Sequence, residues 1–205
     1  MQTVRTKIFE YGQKEMDYLK NADPILGKVI DRIGKIERVI IPDLFPALIY
    51  AIIGQQISLK ACKTIWARMQ DQLSPIVPEH IASISVEDIQ QLGMQTKKAG
   101  YIKGIAQKAA SGEFDLNRLY ELSDEEAVKQ LSSLSGIGKW TAEMLLLNCL
   151  ERQDIVSYGD IAIRRGMMKL YDLPELSKEQ FEVYRRRYSP YGSVASIYLW
   201  RVSYE

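Results

Sequence analysis

The stretch Leu134-Ser135-Gly136-Ile137-Gly138-Lys139-Trp140-Thr141-Ala142 decides how this sequence is interpreted. It lies between two segments of helical periodicity, so it predicts two helices joined by a tight turn. Glycine permits positive φ and close backbone approach, and N–H groups at a helix N-terminus carry partial positive charge. The turn therefore predicts a phosphate site made of backbone amides. Its spacing alone fits equally well a packing turn whose glycines only let two helices meet.

Helical patterns extend outward from this turn in both directions. Ser123-Asp124-Glu125-Glu126 matches a capping box and starts the preceding helix, so the hairpin spans about residues 124–149. No convincing strand or repeat is visible. The sequence predicts an all-α fold, a two-lobed helical bundle in which residues 1–205 form a single unit of two interlocked lobes. The segment 74–83, which contains Pro75, Pro78 and His80, reads as a loop and as the crossing between the lobes.

Composition limits the classes of function. The 205 residues are 46% apolar and 26% charged, as in folded globular proteins, and the net charge is +1. A protein that binds nucleic acid through global basicity is therefore not indicated, and any DNA contact must come from local arrangement. The one basic run lies within residues 96–111, where Lys97, Lys98, Lys103 and Lys108 occur without an acidic residue.

Cysteine and histidine usage narrows the chemistry further. Cys62 and Cys149 are far apart and favour a reducing, intracellular setting. The single histidine, His80, excludes a mechanism that needs two. The sequence has no long uncharged apolar run and no secretory signal, so we expect no membrane span.

Three further segments carry distinctive residues in order along the chain. They are Ile52–Ser58 (IIGQQIS), Val156–Gly166 (VSYGDIAIRRG) and Ser189–Arg201 (SPYGSVASIYLWR). Together with the hairpin they resemble the helix-hairpin-helix (HhH-GPD) DNA glycosylase superfamily, in its 3-methyladenine DNA glycosylase II, or alkylation-repair, branch. The resemblance covers the chain from about residue 40 to its end, and four ordered segments make it specific.

The resemblance implies a monofunctional 3-methyladenine-type DNA glycosylase that acts in base excision repair. Such an enzyme flips an alkylated purine out of duplex DNA, hydrolyses the N-glycosidic bond and leaves an abasic site. Asp160 occupies the catalytic place. A carboxylate there can stabilise the positive charge that develops on the sugar, or position water. A ring-alkylated base already carries positive charge and needs little general acid, so one carboxylate suffices. From spacing alone, Asp160 is equally a helix N-cap, and both roles can hold.

Two alternative functions remain open at this stage. The first is a bifunctional glycosylase and lyase for oxidised bases, whose relatives place a catalytic lysine at the position of Trp140. Lys139 is adjacent but points about 100° away around the helix, so Trp140 predicts that lyase activity is absent. The second is a helix-hairpin-helix protein that binds DNA without catalysis, against which Asp160 argues. Two cysteines also exclude the four-cysteine iron–sulfur cluster of many bifunctional relatives within one chain.

Aromatic residues are the candidates for the pocket that receives the flipped base. The resemblance places Trp140 and Trp200 there, and an indole face favours a cationic base. Tyr158 and Tyr50 are added only because they lie near the motifs. Core packing is the alternative for all four.

The predicted DNA contacts fall into three groups. The hairpin contributes Gly136, Ile137, Gly138, Lys139 and Thr141. The turn Gln56-Ile57-Ser58 resembles the family's wedge loop, which fills the gap left by the flipped base; Gln56 is its main candidate. Arg164 either contacts a phosphate, supports the catalytic segment, or forms a helical ion pair with Asp160. Lys97, Lys98 and Lys103 either touch flanking phosphates or belong to a solvated face.

Cofactor and partner expectations follow from the same resemblance. No organic cofactor and no iron–sulfur cluster are expected. A monovalent cation, Na⁺ or K⁺, is implied at the hairpin carbonyls of Leu134 and Gly136. The expected partner is double-stranded DNA with alkylated bases, with no membrane contact. The expected protein is a monomer located inside the cell, in the cytoplasm and nucleoid or in the nucleus.

Overall fold

The computed structural model describes residues 3–205 and confirms the all-α fold. Two short strands, β1 (Lys7–Ile8) and β2 (Val39–Ile40), pair with each other. The sequence pattern did not indicate them, because two residues are too few to show strand alternation. The twelve α-helices of the described chain are α1 Gln13–Ala22, α2 Pro24–Ile33, α3 Leu44–Gly54, α4 Leu59–Gln72, α5 Pro78–Ser83, α6 Val86–Gln91, α7 Thr96–Ala110, α8 Asp124–Leu131, α9 Lys139–Asn148, α10 Ile161–Leu170, α11 Lys178–Tyr188 and α12 Gly192–Ser203. A 3₁₀ turn covers Asn117–Tyr120.

The chain divides into two compact units, and each is built from separate stretches. Unit 1 contains the described residues up to Lys7 and Ile41–Leu150; unit 2 contains Ile8–Ile40 and Glu151–Glu205. The predicted crossing at 74–83 is therefore misplaced, since this segment lies wholly inside unit 1. The prolines of this segment were interpreted as signs of a loop, but Pro78 occupies the first position of α5, where proline is well tolerated.

Helix α3 forms the centre of unit 1. Its residues are apolar on nearly every side, and eight of its eleven positions are buried, as expected for a helix surrounded by protein. It contacts α4, α7 and α9. The buried helix thus sets the position of the turn that follows it, residues 55–58, and of the hairpin helix α9.

Helix α10 packs against α12 in unit 2 through a close backbone contact. A Cβ on Gly166 would lie 2.0 Å from the carbonyl oxygen of Leu199. Only glycine allows this approach. The contact fixes α10, and with it the residue that begins α10, against the core of unit 2.

No helix within residues 3–205 combines the length and the apolar character needed to cross a bilayer.

Candidate functional site

The hairpin turn has the backbone geometry that the sequence predicted. Gly136 has φ of +86°, a conformation that glycine adopts without strain. Gly138 is extended and serves as the N-cap of α9. The first intrahelical bond runs from Ala142 N to Gly138 O over 3.0 Å. The N–H groups at the start of α9 therefore have no acceptor within the helix, and a helix start of this kind suits an anion.

Two side chains from distant segments hold Gly136 in place. The Gln55 side-chain amide donates to the Gly136 carbonyl over 2.8 Å, and its nitrogen lies 3.4 Å from Thr141 Oγ1. On another side, a Cβ at Gly136 would lie 2.3 Å from the ring of Tyr101. The hairpin is thus tied directly to the turn after α3 and packed on α7.

The predicted wedge turn is exposed and locally strained. Gln56 has φ of +56°, which is unusual for a residue with a side chain. Gln56, Ile57 and Ser58 are all exposed, but Ser58 Oγ accepts a bond from Ala61 N over 3.2 Å and caps α4. Strained backbone of this kind clusters at functional sites. The geometry thus presents Gln56 at the tip and Ser58 as the residue that starts the next helix.

Two of the hairpin residues predicted to contact DNA have buried side chains. Ile137 is 4% exposed and Thr141 is 5% exposed, and the Ile137 amide donates to Leu134 O over 3.1 Å. Their side chains therefore stabilise the turn, and their contact with DNA stays a prediction. Lys139 is exposed, and its Nζ lies 3.7 Å from the Glu143 carboxylate.

The three lysines of α7 that were considered for phosphate contact differ in their surroundings. Lys98 donates to the carbonyls of residues 53 and 55, and burial lowers the pKa of its ammonium. Lys103 donates to the carbonyls of residues 82 and 84. These two lysines hold loops, an arrangement that the two alternatives from the sequence, a phosphate contact or a solvated face, did not include. Lys97 is exposed, with its Nζ 5.9 Å from the centroid of the Tyr101 ring.

The carbonyl oxygens of Leu134 and Gly136 are the implied ligands of a monovalent cation. Leu134 O accepts from Ile137 N, and Gly136 O accepts from Gln55 Nε2. A carbonyl oxygen has two lone pairs, so each retains one for a cation. The two oxygens therefore fit the donor chemistry of such a site.

Asp160 in unit 2 is a helix cap with a buried, oriented carboxylate. It is 7% exposed, and its Oδ1 accepts from Ala162 N over 2.8 Å and Ile163 N over 2.9 Å. The N-cap interpretation is thus confirmed, and it does not conflict with a catalytic role. Two amide bonds fix the carboxylate at the start of α10.

The loop that leads to Asp160 is held by the start of α12. Ile155 N donates to Ser193 Oγ over 3.0 Å, and Ser196 Oγ donates to Ile155 O over 2.8 Å. The Asp154 carboxylate accepts from Gly192 N over 3.1 Å. Both serines are fully buried. Sequence reasoning missed these residues; their signal was the spacing of two serines on one face of an otherwise apolar helix.

Arg164 contacts an aromatic ring of the catalytic segment, which agrees with one of its three predicted alternatives, support of that segment. Its guanidinium lies over the ring of Tyr158, 5.0 Å from the centroid. Its Nε is buried and has no hydrogen-bond partner within residues 3–205. Tyr158 also packs edge-on against Phe181 at 5.1 Å. Arg164 and Tyr158 therefore support the segment around Asp160, one turn along α10.

The remaining aromatic candidates differ in how accessible they are. Trp140 is 44% exposed. Trp200 is half-buried, with the Arg38 guanidinium 4.6 Å from its ring centroid. Tyr50 packs edge-on against Trp66 at 5.4 Å and bonds the Cys62 thiol, whose pKa is raised by burial. Trp140 is thus the most exposed of the candidates, whereas Tyr50 follows the core-packing alternative.

The comparisons with known proteins agree with this geometry. The sequence profile of HhH-GPD superfamily base excision DNA repair proteins matches residues 49–190. DNA-3-methyladenine glycosylase 1 of Schizosaccharomyces pombe is 31% identical over 78% of this chain and 72% of its own length. DNA-3-methyladenine glycosylase of Bacillus subtilis is 28% identical over 91% of this chain and 66% of its own length.

A solved structure extends the agreement from sequence to fold. The S. pombe 3-methyladenine DNA glycosylase in complex with abasic DNA superposes with a TM-score of 0.81. It is 27% identical, and the match covers 92% of this chain and 96% of that one. The chain therefore belongs to the HhH-GPD superfamily of base excision DNA repair proteins.

Proposed function

We propose that this protein is a monofunctional DNA glycosylase of the 3-methyladenine type, which removes alkylated purines from duplex DNA and leaves an abasic site for base excision repair. The family membership and the names of both relatives support this activity. The observation that carries it is the buried carboxylate of Asp160, held by two amides at the start of α10. The chain spans about two thirds of the length of the B. subtilis relative.

Asp160 acts on the sugar in this proposal. Positive charge grows on the sugar as the base departs, and a fixed carboxylate stabilises it without reorganising. The bonds to Ala162 and Ile163 keep the carboxylate in one orientation. The serines of α12 hold the preceding loop, so the backbone on both sides of Asp160 is fixed.

Base release needs the target base outside the duplex. The amides at the start of α9 bind a phosphate, and the exposed Gln56 at the strained turn enters the space that the base leaves. Trp140 is 44% exposed, and its indole is the proposed contact for a cationic purine. Trp200 of unit 2 is the other aromatic candidate, and the Arg38 guanidinium lies 4.6 Å from its ring centroid.

The reaction ends at the abasic site, because the position that would need an amine is Trp140. Treatment with borohydride during the reaction should trap no covalent protein–DNA adduct. A trapped adduct would replace the monofunctional proposal with a glycosylase and lyase.

The proposal requires no organic cofactor and no iron–sulfur cluster. A monovalent cation held by the carbonyls of Leu134 and Gly136 would add positive charge beside the bound phosphate. The proposed partner is duplex DNA containing alkylated purines, and the neighbour solved with abasic DNA supports DNA binding. We propose a monomer that works inside the cell, where the DNA is.

The test is release of free base from methylated DNA, comparing the wild type with Asp160→Asn. Asparagine keeps an acceptor for the cap bonds but removes the charge. We expect the wild type to release methylated purines and the variant to lose about 100-fold or more of the rate. A wild type that binds DNA but releases no alkylated purine would contradict the proposed activity.

Asp23→Asn is the matched control. Asp23 Oδ1 caps α2 through Ile25 N and Leu26 N in the same way as Asp160 caps α10. This variant should lower stability but retain base release per folded molecule. Equal loss of release in both variants would mean that Asp160 acts only as a cap.

A further inference from the structure

The exposed lysine at the start of α7 has different surroundings from its neighbours. Lys98 and Lys103 donate to backbone carbonyls and are held inside unit 1. Lys97 makes no ion pair within residues 3–205, and its Nζ lies 5.9 Å from the centroid of the Tyr101 ring. Its charge is therefore available to an anion from outside.

Tyr101 connects this lysine to the hairpin. The two residues are four positions apart on α7, so their side chains lie on one face of the helix. Carbon atoms of the same ring lie 2.3–2.9 Å from the place where a Gly136 Cβ would be. One tyrosine ring therefore contacts both the glycine of the turn and the lysine ammonium.

We propose that Lys97 binds a backbone phosphate of DNA next to the phosphate held by the hairpin amides, with Tyr101 keeping the ammonium beside Gly136. The amides supply only partial charge, and a full positive charge close by strengthens the binding of a polyanion. Lys139 is the lysine of the hairpin itself, and its Nζ already pairs with the Glu143 carboxylate at 3.7 Å. The inference rests on the proposed function, because it takes DNA as the ligand of the hairpin.

The experiment measures how the affinity for DNA depends on salt. The full-length protein is titrated against a fluorescent duplex that contains a tetrahydrofuran abasic-site analogue, over a series of KCl concentrations. Each phosphate contact made by a cation contributes about 0.9 to the slope of log K against log [KCl]. Lys97→Met keeps the aliphatic stem but loses the charge, so its slope should be shallower by about 0.9.

Three variants make the result specific. Lys97→Arg keeps the charge and should keep the wild-type slope. Lys28→Met removes an exposed lysine on α2 of unit 2 and should leave slope and activity unchanged. Lys139→Met tests whether the hairpin lysine is the ligand instead. An unchanged slope in Lys97→Met, or an equal change in Lys28→Met, overturns the proposal.

Base release by the wild type is measured in parallel, so the two proposals can fail separately. If the wild type releases no methylated purine but the slope of log K against log [KCl] is shallower for Lys97→Met, the phosphate contact is supported and the proposed activity is contradicted. If the wild type releases methylated purines and its slope equals that of Lys97→Met, the proposed phosphate contact of Lys97 is contradicted and the proposed activity is not.

Discussion

Gly136 tolerates no side chain for two independent reasons. Its φ of +86° strains any other residue, and a Cβ would collide with the Tyr101 ring. We expect Gly136→Ala to lower the free energy of unfolding by about 1–3 kcal/mol and to weaken DNA binding. Urea unfolding and duplex titration measure both effects.

Gly138→Ala is the control for this prediction. Gly138 has negative φ, and a Cβ there meets no atom within 4 Å. Its replacement should lower stability by at most about 1 kcal/mol, the loss of a favourable N-cap residue. Equal destabilisation by the two substitutions would show that the contact with Tyr101 has no effect.

The sequence indicated which residues belong to the candidate site, but not which residues fix them in position. Asp160 and Gly136 could be predicted, because a cap before an apolar helix and a glycine turn are local patterns. The partners of Gly136 could not: Gln55 and Tyr101 come from distant segments, and no local pattern pairs a glutamine amide with a carbonyl of a later turn. The burial of Ile137 and Thr141 was missed for the same reason.

Helices α10 and α12 meet at a contact that overrides helix propensity. Alanine normally stabilises an exposed helix interior by about 1 kcal/mol relative to glycine. At Gly166, however, a Cβ would lie 2.0 Å from the Leu199 carbonyl oxygen. We expect Gly166→Ala to destabilise the protein by more than about 3 kcal/mol, because backbone must move. Thermal unfolding of the purified variant tests this.

Gly104→Ala on α7 provides the contrast. No atom lies within 4 Å of a Cβ at Gly104. The same substitution should therefore raise the unfolding free energy there, by up to about 1 kcal/mol. Stabilisation at both glycines would contradict the assigned contact between α10 and α12.

The capping box at the start of α8 makes part of the stability depend on pH. Ser123 Oγ and Ser123 N both donate to the Glu126 carboxylate, and these hydrogen bonds hold the pKa of Glu126 below its usual 4.5. The folded pKa is below the unfolded one, so this stabilisation is complete above the unfolded pKa. It is lost as pH falls through the folded pKa.

We therefore expect the stability advantage of wild type over Glu126→Gln to be constant at neutral pH and to shrink below the usual pKa of 4.5. Glutamine preserves the cap acceptor but does not titrate. Urea unfolding across a pH series measures the difference. Glu125→Gln removes a charge from the same turn without affecting the cap, and an identical pH profile for both variants would count against the box.

Helix starts were the elements best predicted, because caps and prolines act locally. The capping box Ser123-Asp124-Glu125-Glu126 begins helix α8 where expected. Helix α5 was mistaken for a loop, because six residues are too few to show a periodic apolar face. Strands β1 and β2 were not predicted, because each has only two residues, too few to show alternation.

The path of the whole chain could not be predicted from local patterns. Unit 2 joins Ile8–Ile40 to Glu151–Glu205, so its core combines residues from both ends of the sequence. Hydrophobic periodicity shows which face of a helix is buried, but not which distant helix covers it. A proline-rich segment looked like a boundary only because boundaries are usually loops.

A net charge of +1 also makes a prediction about the molecule as a whole. If backbone amides hold one phosphate and few lysines contact others, few counterions leave the DNA on binding. We expect log K for duplex DNA to fall with log [KCl] with a slope of about −2 to −4, as for two to four contacts. Fluorescence anisotropy between about 50 and 200 mM KCl measures it. A slope near −10, typical of a repressor with many cationic contacts, would mean that surface lysines, and not the hairpin, dominate binding.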